Sequence, residues 1–116
     1  MVNQNHRGMW IGNGSWHNSI VNNNITGFSS SAILLGYSCS YNLIQGNHCR
    51  NEGATGLGGE AVINVNTGSS YNHIVSNLLD APLNYSVYVA TDSSYNVIDG
   101  NYSKNAYVAA FGCEND

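Results

Sequence analysis

Charged side chains are scarce in this chain of 116 residues. They make up 9% of the sequence, against about a quarter in ordinary globular domains. Only Arg7, Arg50 and Lys104 are basic, and the formal net charge is −4. Three cations are too few to follow a phosphate backbone, so the composition disfavours nucleic acid as a partner.

Long apolar runs are also missing, and proline is rare. No apolar run approaches the roughly 20 residues of a helical membrane span, which argues against membrane insertion, and no secretion signal opens the chain. Proline occurs once, at Pro82, while Gly, Asn and Ser interrupt the sequence every few residues. This punctuation argues against helices and favours short strands joined by polar corners.

Residues that bind metals are few and scattered. Cys39, Cys49 and Cys113 have no C-x-x-C spacing, so we interpret them as isolated thiols rather than a disulfide framework or a zinc site. The histidines fall at unrelated positions of the repeat that organises the chain, namely His6, His17, His48 and His73. The sequence therefore predicts no metal site, no cofactor and no Ser-His-Asp set.

What the chain has in abundance is a repeated nonamer. The segment SSYNHIVSN at 69–77 returns as SSYNVIDGN at 93–101 and as CSYNLIQGN at 39–47, with a decayed copy, SWHNSIVNN, at 15–23. The copies recur with a period of about 24 residues, one step being six residues longer, and such a period is typical of a solenoid whose repeats stack on one another. We therefore predict one domain over residues 1–116, with laps near 1–14, 15–38, 39–68, 69–92 and 93–116.

Apolar residues align in columns when the sequence is shifted by its period. The nonamer contributes one column, and the segment ahead of it contributes two more that lie two residues apart. This alternation predicts strands with one buried face. The three columns are Met9, Ile33, Ile63, Val87 and Phe111; Ile11, Leu35, Val65, Val89 and Cys113; and Ile20, Ile44, Ile74 and Ile98.

Asparagine and aromatic side chains form columns of their own. A side-chain amide both donates and accepts, so stacked asparagines can form a self-satisfying ladder, at corners whose left-handed backbone asparagine tolerates. The predicted ladders are Asn18, Asn42, Asn72 and Asn96, and Asn23, Asn47, Asn77 and Asn101. The aromatic column is His17, Tyr41, Tyr71 and Tyr95.

Short strands, polar corners and about 24 residues per lap predict an all-β fold, a parallel β-helix of just under five laps. An antiparallel sandwich is the alternative, but it does not require like residues to recur at a constant offset. The lap length, the N-x-I-x-x-N motif and the Ile/Val columns resemble the right-handed parallel β-helix of the pectate-lyase-like superfamily. The laps rich in Asn and Ser most resemble tailspike, tail-fibre and neck-appendage proteins of tailed phages. This resemblance covers essentially the whole chain and implies a right-handed helix and an extracellular or virion-surface location.

Two features are candidates for chemistry. The column Thr26, Arg50, Asp80 and Lys104 carries alternating charges, and is either a solvated charge ladder or a sugar-contacting or acid/base patch. Six extra residues lie within 50–61, and this inserted segment is either a flexible loop or a binding rim. Glycosidases need two carboxyl groups about 5 to 9.5 Å apart. The candidate catalytic carboxylates are Asp80, Glu60, Glu52, Asp92 and Asp99.

The predicted function is structural and adhesive: a β-helical segment that binds cell-surface polysaccharide, as part of a phage tailspike or appendage. The candidate glycan contacts are Arg50, Asp80, Lys104, Tyr71 and Tyr95. Two alternatives stay open, a fragment of a polysaccharide lyase, hydrolase or epimerase, and a self-assembling extracellular filament subunit. The sequence departs from the lyase pattern, because no cluster of acidic metal ligands with a nearby Arg or Lys is visible.

A second expected partner is the chain itself. Met9 and Ile11 at one end, and Phe111 and Cys113 at the other, have no proline, lysine row or capping helix to cover them. We therefore expect these ends to be covered by more chain, by a trimer or by an axial stack.

Overall fold

A computed structural model describes residues 7–28, 30–50, 61–81, 84–106 and 109–113. Within these ranges all regular structure is β, in thirteen short strands that form three sheets. The described part of the chain has no helix, and so none of a length and apolarity that would cross a membrane.

Each sheet takes every third strand. The first sheet contains β1 (Arg7–Ile11), β4 (Ser31–Leu35), β7 (Ala61–Val65), β10 (Tyr85–Val89) and β13 (Ala109–Cys113). The second sheet contains β2 (Ser19–Val21), β5 (Leu43–Gln45), β8 (His73–Val75) and β11 (Val97–Asp99). The third sheet contains β3 (Asn24–Thr26), β6 (His48–Arg50), β9 (Leu78–Asp80) and β12 (Tyr102–Lys104).

The chain winds as a parallel β-solenoid of about four turns. Strands β1, β2 and β3 make the first turn, β10, β11 and β12 make the fourth, and β13 adds a fifth strand to the first sheet. Paired strands are parallel in all three sheets. The predicted all-β parallel solenoid, with about 24 residues per turn, is confirmed, and the antiparallel sandwich is wrong. The right hand and the count of just under five laps stay predictions.

The strand register reproduces the sequence period. Met9 pairs with Ile33, one period along the chain, and Ile33 pairs with Ile63, one period plus the insertion along it. Val87 pairs with both Ile63 and Phe111, one period away on either side. The six extra residues therefore leave the register of the next turn unchanged. Most of the segment that contains the insertion, residues 51–60, lies outside the described residues, and so do Glu52 and Glu60.

The interior is filled by the predicted apolar columns. Ile44 and Ile74 of the second sheet are fully buried, as are Ile33 and Ile63 of the first. In the described part of the chain, every buried side-chain nitrogen or oxygen atom has a hydrogen-bond partner. The core is thus apolar at its centre and satisfied at its polar corners, which is what burial of asparagine and serine requires.

The first sheet breaks the predicted alternation. Val62 and Ile63 are consecutive, and both are fully buried. The residue that aligns with Val62 in the next turn, Ser86, explains this. The Ser86 hydroxyl contacts the hydroxyl of Ser103, which belongs to the third sheet. A Cβ placed on Gly8 would likewise meet the side chain of Ile25. The column that contains Gly8 therefore faces the third sheet across the interior, so two successive residues face inward and the prediction of one buried face is wrong here.

The two ends of the solenoid differ in exposure. Ile11 belongs to the core cluster with only 8% of its surface exposed, and half-buried Met9 packs against the same cluster. The expectation that Ile11 is bare is therefore wrong. Phe111 is 49% exposed and Cys113 is exposed, as expected for the other end.

Candidate functional site

The asparagine columns are hydrogen-bonded ladders. Asn72 Oδ1 accepts from the backbone N and the Nδ2 of Asn42, at 2.9 and 3.0 Å. The backbone N and the Nδ2 of Asn72 in turn donate to Asn96 Oδ1, and the Nδ2 also donates to the Cys39 carbonyl at 2.9 Å. An amide whose donors and acceptor are all engaged in this way is structural and has no hydrogen to offer a ligand.

The other ladder members follow the same pattern. Asn18 donates twice to Asn42 Oδ1. The second ladder repeats the pair of bonds at each step, with Asn23, Asn47, Asn77 and Asn101. The predicted ladders are confirmed along their whole length.

The left-handed backbone belongs to the residue before each asparagine. The angle φ is 59° at His17, Tyr41 and Tyr71 and 58° at Tyr95. The asparagines that follow them form the first ladder and do not have a positive φ; they are Asn18, Asn42, Asn72 and Asn96. The expectation that the ladder asparagines take this conformation is wrong, although Asn22 takes it at the corner ahead of the second ladder. Each asparagine must direct its backbone N and its Nδ2 at one oxygen of the next turn, so the chain reverses one residue earlier.

Aromatic residues are an expensive choice at such a corner. A left-handed backbone costs a residue with a Cβ about 1–2 kcal/mol, and glycine and asparagine are the usual occupants. The corner ahead of the second ladder follows this rule in part, with Asn22, Gly46, Ser76 and Gly100. Backbone strain that recurs at tyrosine in successive turns indicates that the aromatic ring has a structural or functional role at this position.

The aromatic column is a continuous stack of rings. Ring centroids are 5.3 Å apart for His17 and Tyr41, 5.0 Å for Tyr41 and Tyr71, and 4.9 Å for Tyr71 and Tyr95. The corresponding interplanar angles are 20°, 3° and 11°. These separations are close to the spacing of neighbouring strands, so the stack follows from the register of the sheets. We call Tyr41, Tyr71 and Tyr95 the tyrosine ladder.

The tyrosine ladder lies at the surface. Tyr41 is 48% exposed, Tyr71 is 43% exposed and Tyr95 is 73% exposed. The faces of the two inner rings, Tyr41 and Tyr71, are covered by their neighbours in the stack, so these rings offer solvent their edges and hydroxyl groups. The hydrogen bonds of the described residues do not engage these hydroxyls, which leaves each one able to donate and to accept.

Trp16, which was not among the predicted site residues, extends the aromatic surface. Its ring meets the ring of Tyr41 edge-on, at 6.4 Å and 68°, and the residue is 61% exposed. Trp16 precedes the aromatic column in the first turn, where later turns have serine. These serines are linked from turn to turn: Ser70 Oγ accepts from the backbone N of Ser94 at 2.9 Å, and Ser40 Oγ accepts from the backbone N of Ser70 at 3.2 Å. The aligned nonamers contain the signal, because SWHN occupies the position of SSYN.

The charged column exists in the predicted register. Arg50 of β6 pairs with Asp80 of β9, and Asp80 pairs with Lys104 of β12. Asp80 Oδ1 accepts from Asn105 Nδ2 at 2.7 Å, a contact that the sequence did not predict. Arg50 and Lys104 are exposed. The charged residues are the last residues of the strands in the third sheet, whereas the tyrosine ladder lies just before the strands of the second sheet. The two groups of predicted glycan contacts therefore occupy different parts of each turn.

The structure does not bring the described candidate carboxylates into one group. Asp80 lies on the third sheet, Asp99 is exposed on the second, and Asp92 is exposed in the turn that follows β10 of the first. Among the described residues no three His, Cys, Asp or Glu side chains are grouped as metal ligands. Glu52 and Glu60 lie outside the described residues, so their pairing with Asp80 stays a prediction.

No disulfide joins the three cysteines, all of which lie in the described ranges, and their surroundings differ. Cys113 is exposed, whereas Cys39 and Cys49 are buried. Cys39 takes the position of Ser69 in the repeat, and its thiol donates to the Gly12 carbonyl at 3.0 Å. Burial among apolar neighbours raises the pKa of Cys49 from 9.0 to about 12. A thiol that stays protonated in this way is chemically inert, so Cys49 is a core residue.

The chain matches no protein-family model, no curated protein and no solved structure in the comparisons.

Proposed function

We propose that this chain is a structural and adhesive segment of an extracellular or virion-surface appendage, and that it binds a neutral cell-surface polysaccharide along its tyrosine ladder. The likeness of the repeat to pectate-lyase-like β-helices, and to phage tailspikes and appendages, is part of this proposal. So is assembly with further copies as a trimer or an axial stack. The observation that carries the proposal is a row of exposed stacked tyrosines whose hydroxyl groups have no partner within the described protein.

The ladder offers a sugar two kinds of contact. Ring edges give apolar surface, and a phenol hydroxyl both donates and accepts a hydrogen bond. Tyr41, Tyr71 and Tyr95 repeat these contacts along the solenoid axis at intervals of 5.0 and 4.9 Å between ring centroids. A linear polymer with many hydroxyl groups, lying along the axis, can contact all three turns at once.

The neighbouring columns favour a neutral polymer. The residues before the ladder are Ser40, Ser70 and Ser94, and those after it are asparagines that belong to the first ladder. Neither column carries a charge. Binding through neutral hydrogen bonds should therefore change little with ionic strength, in contrast to the recognition of an acidic polysaccharide by cations.

The stack also makes the surface rigid. Tyr71 is held between two rings and follows Ser70, whose backbone N donates to Ser40 Oγ at 3.2 Å. A side chain that is already ordered loses less conformational entropy on binding, so each contact contributes more to affinity. A solenoid segment with such a surface suits an adhesive shaft.

Affinity electrophoresis through gels that contain neutral or acidic polysaccharides tests the proposal. We expect a neutral polysaccharide to retard the chain equally at low and at high salt. Replacing Tyr41, Tyr71 and Tyr95 together by Phe keeps the rings stacked but removes their hydroxyls, and should weaken binding about tenfold or more, since one hydrogen bond contributes about 0.5–1.5 kcal/mol.

The matched control replaces two exposed tyrosines outside the ladder. Tyr37 is 55% exposed and Tyr102 is 62% exposed. Their joint replacement by Phe should leave retardation unchanged. Equal retardation of the ladder variant and the control would contradict the assignment of the site to the ladder, and a chain that no neutral polysaccharide retards would contradict the function.

A further inference from the structure

We propose that the tyrosine ladder is also a site of oxidative modification, at which Tyr71 couples to Tyr41 or to Tyr95 as a dityrosine cross-link within one chain. This inference concerns covalent chemistry of the ladder, and it stands whether or not the ladder binds polysaccharide. The co-reactant is hydrogen peroxide with a haem peroxidase, the class of oxidant that removes single electrons from exposed phenols.

The geometry of the ladder meets the three requirements of this coupling. The phenols must be accessible, and the three residues are 43% to 73% exposed. They must be close, and both ring pairs have centroids no more than 5.0 Å apart. They must also be held together for the lifetime of a radical, which the register of stacked strands ensures, because a reaction within one ordered structure has a high effective concentration.

The reaction balances without a metal in this protein. Peroxidase removes one electron and one proton from each of two phenols, which gives two phenoxyl radicals and reduces one hydrogen peroxide to two waters. The radicals join through the carbons ortho to oxygen, where one new C–C bond forms. Each of these carbons then loses its hydrogen to its own oxygen and restores the phenol. The sum is two tyrosines and one peroxide giving one dityrosine and two waters.

The stacked rings have to slide edge to edge before this bond forms, and their exposure permits it. A second tyrosine pair in the chain provides the contrast. The rings of Tyr85 and Tyr88 are 5.0 Å apart but tilted by 41°, and both residues are half-buried. They pack over Gly112, where even an added Cβ would lie 2.7 Å from each ring. Equal proximity without freedom to move predicts that this pair couples poorly.

Tyr71 is the residue on which intrachain coupling depends. It has a tyrosine on each side, whereas Tyr41 and Tyr95 are two turns apart and have the ring of Tyr71 between them. The ring next to Tyr41 on its other side belongs to His17, which is not a phenol. Removing the Tyr71 hydroxyl therefore removes both possible couplings, while removing that of Tyr95 leaves one.

A cross-link here would join successive turns. Tyr71 and Tyr95 occupy the same position in neighbouring copies of the repeat, so their bond closes a loop of one whole turn. A covalent loop of this kind restricts the unfolded chain and opposes the separation of neighbouring turns. The cross-link thus stabilises the solenoid against separation of its turns along the axis.

The test treats the full chain at low micromolar concentration with peroxidase and hydrogen peroxide, without polysaccharide. The monomer is then isolated under denaturing conditions, which discards products joined between chains. Dityrosine fluorescence measures the yield, and tandem mass spectrometry of a digest identifies the coupled residues. We expect the monomer fraction to contain 41–71 or 71–95 cross-links.

Three single or double Phe variants decide between the ladder and other tyrosines. Tyr71→Phe should abolish the intrachain signal, Tyr95→Phe should reduce it roughly to half, and joint Tyr85→Phe and Tyr88→Phe should leave it intact. A monomer fraction without dityrosine overturns the proposal, and so does a signal that survives in Tyr71→Phe or maps to 85–88. Circular dichroism of each variant before oxidation checks that the stacked fold is retained, so that loss of signal reports on the phenol.

Discussion

Asn72 gives Asn96 two hydrogen bonds at once: its backbone N and its Nδ2 both donate to Asn96 Oδ1, at 2.9 and 3.0 Å. The two residues belong to successive turns, so one oxygen fixes both the backbone and the side chain of the turn before it. Repeated along the chain, this contact sets the register of the solenoid. Tyr71 directly precedes Asn72 and is placed by the same contact, which ties the candidate site to the asparagine ladder.

Replacing Asn72 by Ala should destabilise the fold more than the same change at Asn18. Asn72 is fully buried, and its loss leaves donors of Asn42 and the Cys39 carbonyl without partners. Each such unsatisfied group costs about 1–3 kcal/mol. Asn18 is exposed in the first turn, and among the described residues its side-chain oxygen receives no ladder bond. Thermal unfolding of the two variants measures the difference, and equal shifts of Tm would contradict the ladder account.

Replacing Ser76 by Gly should stabilise the chain. Ser76 is exposed and has a φ of 56°, at a corner where two other turns carry glycine. Relief of about 1–2 kcal/mol of left-handed strain offsets the entropic cost of glycine, about 0.5–1 kcal/mol, so we expect a gain of up to about 1.5 kcal/mol. The matched control is Ser94→Gly, at an exposed position without a positive φ, which should lower stability. Urea unfolding gives both values, and a gain at Ser94 or a loss at Ser76 would contradict this reading of the corner.

The Cys49 thiol should make stability fall at alkaline pH. Its pKa is about 12 in the folded chain against 9.0 ordinarily, so between these values the unfolded chain has lost a proton that the folded chain retains. The contribution of the protonated thiol to the free energy of unfolding is fully present below pH 9 and decreases above it, by up to about 1.4 kcal/mol per pH unit. Comparison with Cys49→Val at pH 8, 9.5 and 10.5 removes every pH-dependent contribution that the two proteins share. Parallel pH profiles for the two proteins would contradict a protonated buried thiol.

Much of the fold could be predicted because the solenoid repeats its contacts. The period of the sequence is also the pairing distance of the strands, so aligning the copies was enough to pair Met9 with Ile33 and Arg50 with Asp80. The same alignment predicted both asparagine ladders and the stack of tyrosines. Columns of like residues are therefore strong evidence of register in this class of fold.

Features that depend on three-dimensional direction could not be predicted in this way. Which corner residue takes a positive φ is decided by how Asn72 must aim its two donors, and the composition of the corner does not reveal it. The inward turn of Val62 depends on the third sheet across the interior. For the candidate site, the sequence predicted that Tyr71 is exposed in a stack, but not that its two faces are closed to a sugar.

An NMR titration of the chain, labelled in its tyrosine rings, with a neutral oligosaccharide cut from the polysaccharide that retards it tests directly whether the tyrosine ladder binds sugar. We expect the ring signals of Tyr41, Tyr71 and Tyr95 to shift together and saturably, while those of Tyr37 and Tyr102 stay in place. Saturable binding that leaves the three ladder signals unmoved would contradict this expectation.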